Sequence, residues 1–385
     1  MYPTISDLIK DLTGIYIPLP VQSFGFMMVI AFLLAAWTLT VELKRKEKHG
    51  LLKPVSKKVL TGEPASITEL VTNAIIGFVL GFKVIEMIMH YRDLVDNPQE
   101  FILSARGNLI GGIAVSALLV YMKYRDKEKQ RLPKPEEKMI LVSPHQMVGD
   151  ITIIAAIFGL LGAKLFDNLE HLDAFFDDPV GALFSFSGLA FYGGLILGSA
   201  AVLWYANKNK IPLVHMADSA SPGLILAYGI GRIGCQLAGD GDWGITNLHP
   251  KPSGWFLPDW TWAFRYPHNV IQEGIQIPGC VGKFCYQLAE PVYPTPLYET
   301  TMAILIFFFL WSIRKKINAA GMIFSIYLLL NGIERIFIEI IRVDLRYHFF
   351  GITATQAQII AAGMIVAGVT GIILSGRRHS IPTTE

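Results

Sequence analysis

Apolar runs close to 20 residues long alternate with polar loops, and the lysines and arginines collect in every second loop. This alternation restricts the fold of the 385-residue chain more than any other feature. Backbone polar groups in hydrocarbon must be satisfied within the chain, so only helices and closed barrels cross a bilayer, and runs of this length select helices. The first run, about 24–41, ends at Lys44, Arg45, Lys46, Lys48, Lys53, Lys57 and Lys58. That basic loop belongs on the cytoplasmic side, which puts the N-terminus outside. Further spans are expected near 70–90, 108–123, 148–167, 186–205, 213–236, 296–313, 320–341 and 354–375. The remaining basic loops around Lys123 to Lys134, Lys208 and Lys210, Arg314 to Lys316, and Arg377 and Arg378 then all fall inside. The expected class is an all-α polytopic membrane protein with about nine transmembrane helices.

A 52% hydrophobic fraction with only 17% charged residues excludes an ordinary soluble domain. A net charge of +2 with its cations confined to loops gives no reason to expect nucleic-acid binding. Residues 1–22 carry no cleavable leader pattern and are expected at the membrane surface. The rest divides into 23–66, a first span with its basic loop; 67–147, a hairpin of spans two and three; 148–238, spans four to six; 239–295, an irregular outer head; and 296–385, spans seven to nine. The head is rich in Trp, Pro and Gly and suits a membrane interface. It contains Cys280 and Cys285, which an oxidising compartment would allow to pair.

Residues recur at a constant offset of 81 without a gap: Ala74, Gly81, Lys83, His90, Asp96, Pro98, Ser104, Gly107 and Gly112 return as Ala155, Gly162, Lys164, His171, Asp177, Pro179, Ser185, Gly188 and Gly193. Spans two and three therefore read as a parallel duplicate of spans four and five. At this offset Tyr192, which precedes Gly193 and Gly194, corresponds to Gly111, so the second copy is expected to carry function and the first to be structural.

Arg232 lies in a glycine-rich apolar segment. A charge at that depth costs a few kcal/mol, and such residues face a polar cavity with a partner. The eighth span contributes Arg335, Glu339 and Arg342 at spacings of four and seven, which predicts one shared helix face at the depth of Arg232. Guanidinium groups grip phosphate bidentately and stay charged when desolvated, so a lipid phosphate is the expected ligand. Gly231 and Gly234 would admit a headgroup, Asp240 and Asp242 stand at the mouth before Gly244, and Glu299 at the start of span seven needs an arginine such as Arg232 or Arg335. No metal, nucleotide or other cofactor motif is present.

Four blocks in order, GLAFYGGLILG, GRIGCQLAGDGDWG, YPTPLYE and NGIERIFIEIIR, together with the opening SFGFMMVIAFLLA, resemble the bacterial prolipoprotein diacylglyceryl transferase family. The resemblance covers about 17–47 and 149–375 and leaves spans two and three as an insertion. It implies an enzyme of the bacterial cytoplasmic membrane. The diacylglyceryl group of phosphatidylglycerol would pass to the lipobox cysteine of a preprolipoprotein signal peptide, forming a thioether and releasing glycerol phosphate. Arg232 matches the signature arginine and Arg335 the later one, while Glu299 and Glu339 match acidic positions. Tyr192 stands where many members have histidine, Cys235 and Ala238 replace signature asparagines, and Asp240 replaces the signature glutamate. Thiol deprotonation would then fall to Tyr192, Asp240 or Glu299, or to a thiol acidified by the arginines, with Glu299 and acidification together preferred. The catalytic set is thus Arg232, Arg335, Tyr192, Asp240 and Glu299. The substrate-binding set is Arg232, Arg335, Gly193, Gly194, Gly231, Gly234, Glu339 and Gly244. The alternative is an altered relative that binds or transports anionic phospholipid. A secondary transporter fits less well, because the repeat is not inverted.

Overall fold

The computed structural model describes residues 1–184, 190–343, 346–349 and 352–379. Ser185 and Gly188 of the repeat lie outside the described residues. Helix α1 (Ile5–Thr13) opens with a Thr4–Asp7 capping box and closes on left-handed Gly14. It is followed by α2 (Ser23–Lys48), β1 (Val55–Thr61), α3 (Ile67–Met89), the short α4 (Tyr91–Asp96) and α5 (Pro98–Leu103), α6 (Leu109–Lys129) and β2 (Glu136–Val142). Next come α7 (Val148–Glu170), the short α8 (Leu172–Asp177) and α9 (Pro179–Phe184), α10 (Phe191–Lys208) and α11 (Leu213–Ala238). The chain ends with β3 (Ile275–Gln276), β4 (Tyr286–Gln287), α12 (Thr295–Ile313), α13 (Met322–Glu339), β5 (Arg346–Phe349), β6 (Ile352–Thr355) and α14 (Gln356–His379).

The protein is predominantly helical and integral to a membrane. Ser23–Lys48, Ile67–Met89, Pro144–Glu170, Thr295–Ile313 and Gln356–Arg377 are each long and apolar enough to cross one. The three two-stranded ladders among the described residues are absent from an all-α reading. The largest pairs Val55 with Val142 through to Thr61 with Glu136 and so closes the base of the α3–α6 hairpin. Charged strands with little burial, such as VSKKVLT, carry no apolar alternation, and their pairing is set by the hairpin between them.

The bundle around the site is built from α2, α11, α12, α13 and α14. Gly223 abuts Thr38 and Ala35 of α2, Gly234 abuts Met27 and Phe24, and Gly229 abuts Ala303 of α12. Small residues let these backbones approach where no hydrophobic effect drives helices together. The end where α11 begins is locked by Asp218, which accepts hydrogen bonds from the Gly321 and Phe324 amides and pairs with Lys46 at 3.5 Å. Nearby, Glu42 bridges Arg45 and Arg314.

The duplicate hairpins use the same seam, with one correction. Gly81 faces the Gly111 carbonyl and Val115, whereas Gly162 faces the Gly193 carbonyl and Leu197. The Asn108 amide bonds the Phe82 carbonyl as the Ala190 amide bonds that of Ala163. First helices therefore correspond at an offset of 81 but second helices at 82, so the copies are not gapless. Close glycine packing fixes the register and aligns Gly111 and Gly112 with Gly193 and Gly194. Tyr192 then corresponds to Ile110, not to Gly111.

Candidate active site

The site forms where α11 ends. Gly239 adopts φ 64° and its amide closes the helix on the Cys235 carbonyl, turning the chain back across the bundle. The segment that follows is stitched down on both sides. Thr295 Oγ1 donates to the Asp242 carbonyl at 2.7 Å, the Gly244 amide donates to the Tyr293 carbonyl at 2.9 Å, and the Ile245 amide donates to the Ile341 carbonyl at 2.8 Å. A Cβ on Gly244 would collide with the Ile341 carbonyl, so this close approach requires glycine.

These connections bring three arginines from separate segments onto two carboxylates. Arg232 pairs with Asp242 through Nη1 and with Glu299 through Nε at 2.6 Å. Arg342 pairs with the other Asp242 oxygen at 2.5 Å and with Glu299 at 3.1 Å. Arg335 reaches Glu299 at 3.4 Å and Glu339 at 3.1 Å. Glu339 therefore pairs with Arg335, its neighbour on the predicted helix face, and both proposed partners of Glu299 are present. The shared helix face needs correction, because α13 stops at Glu339 and Arg342 lies in extended chain bridged to Gly244. Its guanidinium nevertheless enters the same cluster. Glu299 is fully buried, a position tolerable for a carboxylate only with such partners. The Arg232 guanidinium also lies 5.1 Å from the centre of the Tyr228 ring, within cation–π range.

The remaining expected residues divide. Asp240 adjoins the cluster, with its Oδ1 3.4 Å from the Asp242 amide. Burial, then the Asp242 charge, holds the Asp240 carboxyl above the usual carboxylate range. Burial pushes Asp242 the same way, but Arg232 and Arg342 outweigh it and hold that carboxyl below. Beside Gly231 there is open room, with only the Met28 sulfur within 4 Å of a Cβ placed there. Gly234 and Gly244 are packing positions, as are Gly193 and Gly194, which lie against the Gly162 and Gly159 carbonyls in the α7–α10 seam. Tyr192 stacks edge-on against Phe191 at 5.7 Å. Cys235 Sγ, Asp240 and Asp242 lie within 4.8 Å of one another, a spacing open to a metal ion, but guanidinium groups engage both Asp242 oxygens and would first have to be displaced.

Arg342 and Asp242 were not assigned roles from sequence. Arg342 was legible by its spacing from Arg335; Asp242 depends on the turn at Gly239, which sequence spacing does not give.

The family model for prolipoprotein diacylglyceryl transferases matches residues 109–374, more than half of the chain. The chain belongs to this family. The match includes α6, which the resemblance had left in the insertion. Among similar proteins, the Corynebacterium efficiens phosphatidylglycerol–prolipoprotein diacylglyceryl transferase is 29% identical over 242 residues, 62% of this chain and 70% of that protein. The enzyme of that name from Leptospira interrogans is 29% identical over 243 residues, 55% of this chain and 66% of its own. The one from Clostridium tetani is 28% identical over 207 residues, 54% and 73% respectively.

Proposed function

We propose that the protein transfers the diacylglyceryl group of phosphatidylglycerol to the lipobox cysteine thiol of a preprolipoprotein. A thioether forms and glycerol phosphate leaves. One observation carries this reading: three arginines, from α11, α13 and the strand-like segment beyond α13, converge on Asp242 and Glu299 in a chain of this family.

The phosphate is held by Arg232 and Arg335, with Arg342 as a third ligand and Glu299, Glu339 and Asp242 holding the guanidinium groups in place. Each guanidinium has five N–H donors. Arg232 uses Nε and Nη1 for its carboxylates, which leaves Nη2 for a ligand oxygen. Preset positive charge at the departing phosphate lowers the barrier because no reorganisation is needed as negative charge develops; one such donor is commonly worth about 100- to 1,000-fold in rate. Room beside Gly231 suits the headgroup.

The nine long helices among the described residues cross the cytoplasmic membrane, with the N-terminus and the 239–295 head on the periplasmic side and the C-terminus in the cytoplasm. The basic loops support this orientation. So does the Cys280–Cys285 disulfide in the head, a bond at home in an oxidising compartment. In this orientation α1 lies at the outer interface, tied to the end of α11 by the Tyr2 amide on the Leu237 carbonyl.

The test is purified protein with phosphatidylglycerol and a lipobox peptide, read by the peptide's mass shift and by released glycerol phosphate. Equal amounts of both products are expected. An altered relative that binds or transports anionic phospholipid is the second reading, favoured by Tyr192 and Cys235 at positions where the family pattern has histidine and asparagine. Lipid binding without either product would establish that reading in place of the first.

A further inference from the structure

The carboxylates of the arginine cluster are all paired, and Glu299, preferred from sequence as proton acceptor, is engaged by Arg232, Arg335 and Arg342. A carboxylate held by three cations is a weak base. Its neighbour Glu334 differs. It is 3% exposed, enters no ion pair among the described residues, and has its Oε1 buried without a hydrogen-bond partner. A buried carboxyl in such a state costs several kcal/mol or sheds its charge unless a ligand completes it. Helix packing alone would be served better by an apolar residue.

Helix geometry places Glu334 towards the bundle interior. On α13, Gly332 faces Ala361 and Ile365 of α14, and Ser325 faces Gly368 and Gly371. Two residues beyond Gly332 is about 200° around the helix, so Glu334 points away from α14 and shares a face with Tyr327, Asn331 and Ile338. The groups whose charge reaches it come from α11, α12, its own helix and the segment beyond it, and none from α14. They are Glu299 of α12, Arg335 of its own helix, Arg232 of α11 and Arg342 beyond α13. The Tyr327 and Tyr228 hydroxyls complete the set.

We infer that Glu334 is the general base that takes the proton of the acceptor thiol. This rests on the diacylglyceryl transfer proposed above. The thiol S–H bond breaks and its proton passes to the Glu334 carboxylate, directly or through one water. The sulfur forms a bond to the glycerol carbon that carries the phosphate. The carbon–oxygen bond breaks, its electron pair leaves with glycerol phosphate, and the arginines hold that anion. Nothing is oxidised or reduced. Glu334 stands one residue from Arg335, so the base and the phosphate ligand are fixed by the same helical turn.

The experiment compares the parent protein, Glu334→Gln and Glu334→Asp in the peptide assay across pH, with a second peptide that carries selenocysteine at the acceptor position. The Gln variant keeps shape and removes only the basic oxygen. It should lose about 100- to 10,000-fold in kcat, keep its KM for phosphatidylglycerol, and lose the rise of rate with pH seen in the parent. With the selenocysteine peptide, whose selenol is ionised at neutral pH, it should react near the parent rate, because no base is then needed. The Asp variant should recover part of the cysteine reaction and keep the rise with pH. An unchanged kcat in Glu334→Gln, or an equal loss with both peptides, overturns the assignment. If Glu334→Gln does not fold, an unaltered rate and pH profile in Glu334→Asp overturns it equally. No product from the parent with either peptide would instead sink the transfer reaction itself.

Discussion

Asp242 is the residue on which the resting site turns. It holds two arginines at once, Arg232 and Arg342, and a phosphate oxygen would compete for the same guanidinium groups. Asp242→Asn should therefore lower the KM for phosphatidylglycerol severalfold at low salt, with a smaller gain at high salt, as screening predicts. The variant should also melt slightly earlier, by about 1 kcal/mol, since Asp242 is part-exposed and Glu299 still holds both arginines. Lipid titrations at two salt concentrations, with a melting curve of each protein, read both effects. At this scale the sequence was informative about Arg232, Arg335, Glu299 and Glu339, because a charge inside an apolar run announces itself and helical spacing gives its neighbours. It placed Asp242 at the mouth of the site but not on the arginines, which it reaches through a turn, and it put Gly193 and Gly194 in the substrate-binding set, where the structure has them in helix contact.

At the scale of elements, the duplicated hairpins depend on backbone contact at glycine. Gly162→Val would drive a side chain into the Gly193 carbonyl, which cannot swing aside as a side chain can. A loss of about 1–3 kcal/mol is expected from such overpacking, and hydrogen exchange should show it first in α7 and α10. The repeat was visible from residue identities, but its one-residue slip was not, because apolar helices tolerate several registers on paper and only the seam selects one. The head depends on a different device. Its core of Trp243, Tyr266, Leu288 and Val292 is small, and the Cys280–Cys285 bond closes a separation of five residues beside it. Replacing both cysteines with serine should destabilise the head by about 2 kcal/mol on loop-closure entropy. Proteolysis of 270–290 should accelerate while the melting of the helices stays put.

For the whole molecule, the α3–α6 hairpin is carried on a closed neck. Val55 lies opposite Val142, so the chain enters and leaves the hairpin at one place. At the far end it touches the rest through exposed contacts, Tyr91 to the Pro18 carbonyl and Lys283 to Asn97. Removal of 56–141, with a two-residue turn joining Val55 to Val142, should leave a folded protein whose activity stays within about threefold of the parent, since distant independent sites contribute additively. Loss of the fold would mean that the hairpin is integral to the bundle. The long apolar helices were legible from hydropathy, since the bilayer allows little else, and five of them among the described residues are long and apolar enough to cross it. The β1–β2 neck was not legible, because its strands are polar and pair across a long separation that no local pattern encodes.

Charge on Arg232 is where residue, element and molecule meet. Its guanidinium is brought by α11, restrained by a loop and by α12, and is proposed to hold the lipid phosphate. The most direct measurement follows thioether formation and glycerol phosphate release as phosphatidylglycerol is titrated into the parent protein and into Arg232→Gln. The parent should saturate and yield both products in equal amount, while Arg232→Gln should lose at least about 100-fold in rate, as expected for one donor to a developing anion. An Arg232→Gln protein that binds and converts phosphatidylglycerol like the parent would contradict the phosphate site.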